Sequence, residues 1–215
     1  MRASEIYELI STPAAVKKFK SSEFGDTKDP FYTTDKDQWN RGGGWKDQVS
    51  AFVEQNNLKV IGNGTFGVVV EKPGYPFLIK LFSDADKAYL DWIAFCNANK
   101  SNKFLPKFKG KVGRAAKRLL YVRLEKLTHA PNDEPADALN QMIGEYDAGM
   151  PMSRISQWFP DYHNDDELEL VLKKLISISD GKFKSRIGVD ISGDNVMMRG
   201  STVVITDPAY MTDYR

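Results

Sequence analysis

The chain has 215 residues, 41% apolar, 27% charged and 12% aromatic, with a formal net charge of +1. That length suits one domain with an extension or two small units, and the apolar share excludes a mostly disordered chain. No apolar run approaches the roughly 18–20 residues that would span a bilayer, and a single cysteine (Cys96) with two histidines (His129, His163) leaves no internal disulfide and a poorly supplied zinc site.

Residues 1–57 read as an extension. Ile6, Leu9 and Ile10 suit one face of a short helix, a polar stretch runs from Ser21 to Gly44, and Trp45, Val49, Phe52 and Val53 recur at helical spacing. That second helix has an apolar face and no catalytic chemistry, so packing is its expected role. The opening residues Arg2, Glu5 and Glu8 do not form a signal-peptide core, and the expected setting is a reducing cytoplasm. From Leu58 the pattern turns to strands at 58–61, 66–71 and 76–81, with the turn Lys72-Pro73-Gly74-Tyr75 between the last two.

Residues 84–98 predict a helix with Tyr89, Trp92, Ile93 and Cys96 on one face, and 118–124 predict another strand. A Pro/Asp/Glu-rich loop is expected over 130–138. Asn164 or Asp165 caps a helix reaching about Ser179, whose buried face is Leu168, Val171, Leu172, Leu175 and Ile178. A hairpin, 195–199 with 202–206, turns at Gly200-Ser201.

The balanced charge conceals two opposed stretches. Nine basic and no acidic residues lie in 97–124, whereas 127–172 holds ten acidic residues against Arg154 alone. Such stretches are usually two solvated faces. The sharper reading is a basic surface for phosphates or an anionic partner.

Three clusters carry chemistry. The run Gly62-Asn63-Gly64-Thr65-Phe66-Gly67 fits G-x-G-x-x-G, which dinucleotide-binding folds share. In those folds the third glycine opens a helix. Here Val68-Val69-Val70 and a Pro-Gly turn follow, so the setting is strand-turn-strand, a loop whose backbone N–H groups approach phosphate oxygens. Lys80, between Ile79 and Leu81 at the end of an apolar strand, needs an anionic partner or water, and nucleotide phosphates would satisfy it. Near the end, Asp190-Ile191-Ser192-Gly193-Asp194-Asn195 is a D-x-x-x-x-N loop, and Asp207 follows twelve residues after Asn195. Asp190 suits a group that accepts the hydrogen of an attacking hydroxyl, and Asn195 and Asp207 are hard oxygen ligands of the kind magnesium takes. Asp194 reads as a solvated turn residue.

In the order and spacing of these motifs the chain resembles the protein-kinase-like superfamily, most of all the small early serine/threonine kinases of short-tailed (T7-like) bacteriophages. The resemblance covers about residues 58–210 and rests on Gly62-Asn63-Gly64, Ile79-Lys80, Ala94-Phe95-Cys96, Leu124-Glu125-Lys126-Leu127, Ser192-Gly193-Asp194-Asn195-Val196-Met197 and Ile205-Thr206-Asp207-Pro208. It implies an α+β, minimal two-lobe kinase-like fold with a helical N-terminal extension (1–57), a β-rich N-lobe with one main helix (58–127) and a truncated helical C-lobe (128–215). It implies ATP and Mg2+ as cofactors. Gly62, Asn63, Gly64, Thr65, Phe66, Gly67, Val69, Lys80, Glu125 and Leu127 would be at the nucleotide, Asp190 and Lys80 would be catalytic, and Asn195 and Asp207 would hold metal. Its partners would be host proteins, some associated with nucleic acid, in the host bacterial cytoplasm, and the chain itself would be a further substrate.

The departures are specific. Gly188-Val189-Asp190 replaces H-R-D, Ser192 stands where a catalytic-loop lysine is usual, and Asp207-Pro208-Ala209 replaces D-F-G. No glutamate lies between Lys80 and Glu125, which leaves Asp86 or Asp91 as partner of Lys80. Seven residues follow Pro208, too few for the lower helices on which peptides dock. The platform would then come from 1–57 and the acidic 131–169 stretch, or the chain is a truncated form. Three other functions compete: a small-molecule phosphotransferase of the aminoglycoside-kinase type, a pseudoenzyme that inhibits a host factor by binding, and a nucleic-acid binder built on 97–124.

Overall fold

A computed structural model describes residues 49, 53, 56–64, 67–83, 86–116, 119–159, 165–180 and 187–211. The expected helix at Ile6, Leu9 and Ile10, the polar stretch to Gly44, Trp45, Phe52, His163 and Asn164 lie outside the described residues. The chain divides into two compact units. One comprises the described residues up to Asn97 together with Lys107–Lys126, the other Ala98–Pro106 and the described residues from Leu127 onward. Its architecture is α+β: a β-rich unit with one main helix, and a reduced unit of helices and short ladders, as the kinase-like resemblance implied.

The first unit is an antiparallel sheet of β1 (Lys59–Asn63), β2 (Gly67–Glu71), β3 (Leu78–Ser83), β4 (Phe108–Ala116) and β5 (Leu119–Leu124), in the order β1-β2-β3-β5-β4. Alternation along β2 and β3 sorts the two faces. Val70 pairs with Ile79 and Val68 with Leu81, and these side chains build one core with Leu58, Phe77, Leu119, Tyr121 and the helical, buried Val49 and Val53. The residues between them point to the opposite face, where α1 (Lys87–Ala98) packs. Tyr89 meets Phe82 edge-on at 4.9 Å and Phe108 at 6.5 Å. Asp86 starts α1, its side chain accepting the Tyr89 N–H at 3.0 Å. Gly113 is required for packing: a Cβ there would lie 2.1 Å from the Tyr121 ring, which fills the space.

The second unit holds β6 (Thr128–His129), α2 (Glu134–Asp147), α3 (Met152–Trp158), α4 (Asp166–Asp180), β7 (Ile187–Val189), β8 (Val196–Arg199), β9 (Thr202–Ile205) and β10 (Ala209–Met211). The expected apolar face of α4 is buried, with Leu168, Val171, Leu172 and Leu175 wholly enclosed. Its cap is Asp165, which accepts from Glu167 N at 3.1 Å and Leu168 N at 3.4 Å. The segment Ala98–Pro106 is tied to this unit. Asn102 donates to the Glu167 carbonyl at 2.7 Å, and Arg199 donates to the Lys103 and Leu105 carbonyls at 2.8 and 2.9 Å.

The expected loop over 130–138 is helical from Glu134. Pro135 sits in the first turn, where its missing N–H costs nothing, and Glu134 and Asp137 meet the positive helix end. The same composition that suggests a loop therefore also starts a helix. β4 went unanticipated because its Lys- and Gly-rich sequence (FKGKVGRAA) lacks clean alternation, and it carries bulges on either side of Gly113. Helix α3 and the ladder β7–β10 were not expected either. Seven and three residues are too short for periodicity to register.

Candidate active site

In the first unit the register gathers the glycine loop and the lysine. Gly62 pairs with Val69, Val69 with Lys80, and Lys80 with Val122, so all four positions share one sheet face. The hairpin between β1 and β2 is closed by Gly64 N–H donating to the Gly67 carbonyl at 2.9 Å. Thr65 and Phe66 lie outside the described residues. Gly67 stands two positions before Val69 on the same face, and the Lys80 side chain runs across it. A Cβ on Gly67 would come within 2.8 Å of Lys80 Cε and 3.1 Å of the Leu81 carbonyl. At Gly62 a Cβ would make only ordinary contact, 3.6 Å from Val69. The two glycines of one motif thus serve different ends.

Lys80 is 8% exposed, and its Nζ lies 3.8 Å from the centre of the Tyr89 ring. A cation over an aromatic face is stabilised there without being neutralised. Tyr89 appears in the sequence only as an apolar-face residue of α1, and this contact is not legible from spacing. Asp86, the first proposed partner of Lys80, is 3% exposed and bonds the α1 backbone. Asp91 is half-buried on α1, two positions beyond Tyr89 and so on a different side of the helix. At the end of the sheet Glu125 closes the mouth of β4 and β5. Its carboxylate accepts from Lys107 N at 2.7 Å while its own N–H donates to the Lys107 carbonyl at 3.1 Å. The neighbouring Lys126 pairs with Glu71 and holds that carboxyl below its ordinary range through a side-chain hydrogen bond. Leu127 is half-buried and opens the second unit.

In the second unit two short ladders end on one three-residue segment. In β7–β10 Val189 pairs with Ala209, so Asp190 falls opposite Pro208, and the Asp190 N–H donates to the Pro208 carbonyl at 2.8 Å. In β8–β9 Val196 pairs with Ile205, so Asn195 falls opposite Thr206. The Asn195 carbonyl accepts from Thr206 N at 2.8 Å and from Thr206 Oγ1 at 3.1 Å. Asp207 is the residue between these two clamps. Asp190, Asn195 and Asp207 are therefore brought together by backbone pairing, although 17 residues separate the first from the last.

The loop between them is braced internally. The Asn195 amide nitrogen donates to the Asp190 carbonyl at 3.0 Å and to Ser192 Oγ at 3.2 Å. With its NH2 so engaged, the amide oxygen is the acceptor that this side chain can offer. From α2, Asn140 donates to the Ile191 carbonyl at 2.8 Å, and the Asp133 carboxylate lies where a Cβ on Gly193 would stand, 2.6 Å away. Asn140 and Asp133 carry no motif and were missed. Asp190 is exposed, and Asn195 and Asp207 are half-buried. The side chain of Asp194 lies outside what is described.

Among the described residues no three His, Cys, Asp or Glu side chains are grouped as a metal site. The donor set at this loop is instead one amide oxygen and one carboxylate, both hard, and it fits a magnesium ion that keeps waters and phosphate oxygens as its other ligands. No helix among the described residues is long and apolar enough to cross a membrane.

No family model matches the chain, and no curated protein matches its sequence. Among solved structures, the aminoglycoside phosphotransferase APH(4)-Ia is similar over 79% of this chain and 73% of its own, at 11% identity and a TM-score of 0.36. Rad53 1-466 in complex with AMP-PNP is similar over 77% of this chain and 43% of its own, at 15% identity and a TM-score of 0.30. At these values the likeness is one of coarse layout, and residue roles rest on this chain's own geometry.

Proposed function

We propose that this protein is an ATP- and magnesium-dependent phosphotransferase that acts on serine or threonine hydroxyls of proteins. The observation that supports it most is the convergence of Asp190, Asn195 and Asp207 on the doubly clamped segment Thr206-Asp207-Pro208. Phosphoryl transfer asks little covalent work of a protein. It needs an oriented nucleophile and neutralised phosphate charge.

In this reading the glycine hairpin presents backbone N–H groups to phosphate oxygens, and Lys80 adds a positive charge on the same sheet face. Val69 packs against the base, and Glu125 and Leu127 border it. Asp190, exposed and fixed through its backbone N–H, accepts the hydrogen of the attacking hydroxyl. Asn195 and Asp207 would hold the magnesium ion, whose charge offsets that developing on the transferred phosphoryl group. Asp86 and Asp91 remain the acids that would orient Lys80. The bacteriophage setting, host-protein targets and self-phosphorylation extend from the motif resemblance.

Transfer of labelled phosphate from ATP to a basic protein and to the chain itself tests this directly. The wild type is expected to label protein, and Lys80→Ala, Asp190→Ala and Asp207→Ala are expected to lose most of that labelling. Equal labelling by all four proteins would refute the mechanism. Consumption of ATP with sugars or amino-alcohols but never with protein would reassign the substrate to small molecules. Tight nucleotide binding without any transfer would favour a pseudoenzyme.

A further inference from the structure

The sheet face opposite Lys80 carries a feature that phosphotransfer does not use. In the β4–β5 ladder Lys109 is the direct cross-strand partner of Arg123. Like charges placed opposite each other on one face are destabilising unless something offsets them. Both cations turn onto the same ring: Lys109 Nζ is 6.0 Å and the Arg123 guanidinium carbon 5.5 Å from the centre of Phe77. Tyr75 meets Phe77 edge-on at 5.5 Å, and Lys72 Nζ lies 5.1 Å from the Tyr75 ring. Among the described residues Lys109, Lys111 and Arg123 take part in no ion pair. The carboxylates that bracket these strands, Glu71 and Glu125, are engaged by Lys126 and the Lys107 N–H.

We infer that the accessible margin of this face, formed by Lys109, Lys111, Arg123 and Tyr75 beside the core that Val49 and Val53 cover, binds single-stranded nucleic acid. Cations beside the half-buried Tyr75 ring supply the two things a single strand needs, backbone neutralisation and a surface for a base to stack on, while Phe77, 8% exposed, only anchors the cations. Tyr75 is half-buried, so one part of its ring anchors to the core while the rest meets solvent. Three of the nine basic residues in 97–124, a stretch without acidic residues, then have a local purpose, since β4 and β5 bring Lys109, Lys111 and Arg123 to one edge of the sheet. The competing explanation is that lysines on the edge strand β4 only discourage strand pairing between molecules.

The experiment is fluorescence anisotropy of a labelled oligo(U) strand with the full chain over rising salt. Affinity is expected to fall with a log–log slope of about −0.7 for each phosphate neutralised. The triple variant Lys109→Gln/Lys111→Gln/Arg123→Gln should flatten that slope by about 2. Tyr75→Leu should weaken binding about fivefold or more, with the salt slope kept. Lys80→Ala, on the other face, should bind as the wild type does, so this result stands or falls apart from phosphotransfer. Thermal melts confirm that each variant is folded, and Lys111→Gln alone, at an exposed position, should still flatten the slope measurably. An unchanged slope in the triple variant, loss of binding in Lys80→Ala, or no binding at the lowest salt would overturn the inference. So would heparin or duplex competing as well as the single strand, since either would make the face a general polyanion surface.

Discussion

The two units position their candidate site residues by different means. In the first, a regular sheet sets Gly62, Val69, Lys80 and Val122 side by side, and the spacing is that of the ladder itself. In the second, the ladders are three and four residues long, and what matters is where they stop. Asp190 and Asn195 are the first residues beyond two different strand ends, and both clamp the same short segment. The first arrangement has five strands to absorb a local change. The second depends on two backbone hydrogen bonds of 2.8 Å and the side chains that brace the loop between them.

The largest expected effect lies in the second unit. Asp190→Asn keeps the shape and removes the proposed proton acceptor, so transfer should fall by about 10²–10⁴-fold with the melting temperature unchanged. In the first unit the contrast between Gly67→Ala and Gly62→Ala probes the sheet. The added methyl at Gly67 meets Lys80 Cε and displaces it, and should cost up to about 10²-fold in transfer. The methyl at Gly62 meets nothing closer than ordinary contact distance and should leave the rate nearly unaltered. A reversed order in the steady-state rates would mean that the lysine is not held where the glycine makes room for it.

Gly113→Ala tests stability rather than chemistry. The new methyl falls inside the buried Tyr121 ring, and overpacking of this kind costs about 1–3 kcal/mol, read by denaturant unfolding. Asp86→Ala removes the cap of α1 and should cost about 1 kcal/mol. A fall in transfer rate beyond that loss of stability would mark Asp86, rather than Asp91, as the acid serving Lys80. The smallest effect is electrostatic. Hydrogen bonds from Lys173 and Tyr146 hold the Glu169 carboxyl below its ordinary range. A depressed carboxylate stabilises the fold above the unfolded value, near 4.5, and that contribution is lost as acid protonates it. Glu169→Gln should therefore melt slightly below the wild type at neutral pH, and the two curves should converge in acid.

Much of this was written in local sequence. Hydrophobic runs located β1, β2, β3, β5 and the β8–β9 hairpin, and periodicity located α1 and α4, because each has a face or core that must be apolar. β4 was hidden because it is a basic, bulged edge strand whose pairing comes from β5 and not from its own pattern. The candidate site, whose roles are proposed, divides in the same way. Lys80, Asp190, Asn195 and Asp207 announce themselves by residue type and spacing. Tyr89 beneath Lys80, Asn140 on the loop carbonyl and Asp133 against Gly193 do not, since their roles arise from tertiary contacts between distant segments.

The β8–β9 hairpin has one more consequence. Its end at the candidate site is at Asn195 and Thr206, whereas its tip, Gly200 in a left-handed conformation and exposed Ser201, is four ladder pairs away. Register, not loop length, sets the distance between Asn195 and Asp207. Residues or a fluorophore grafted at the tip would leave that distance intact, which makes it a natural handle for following nucleotide or metal binding by this unit.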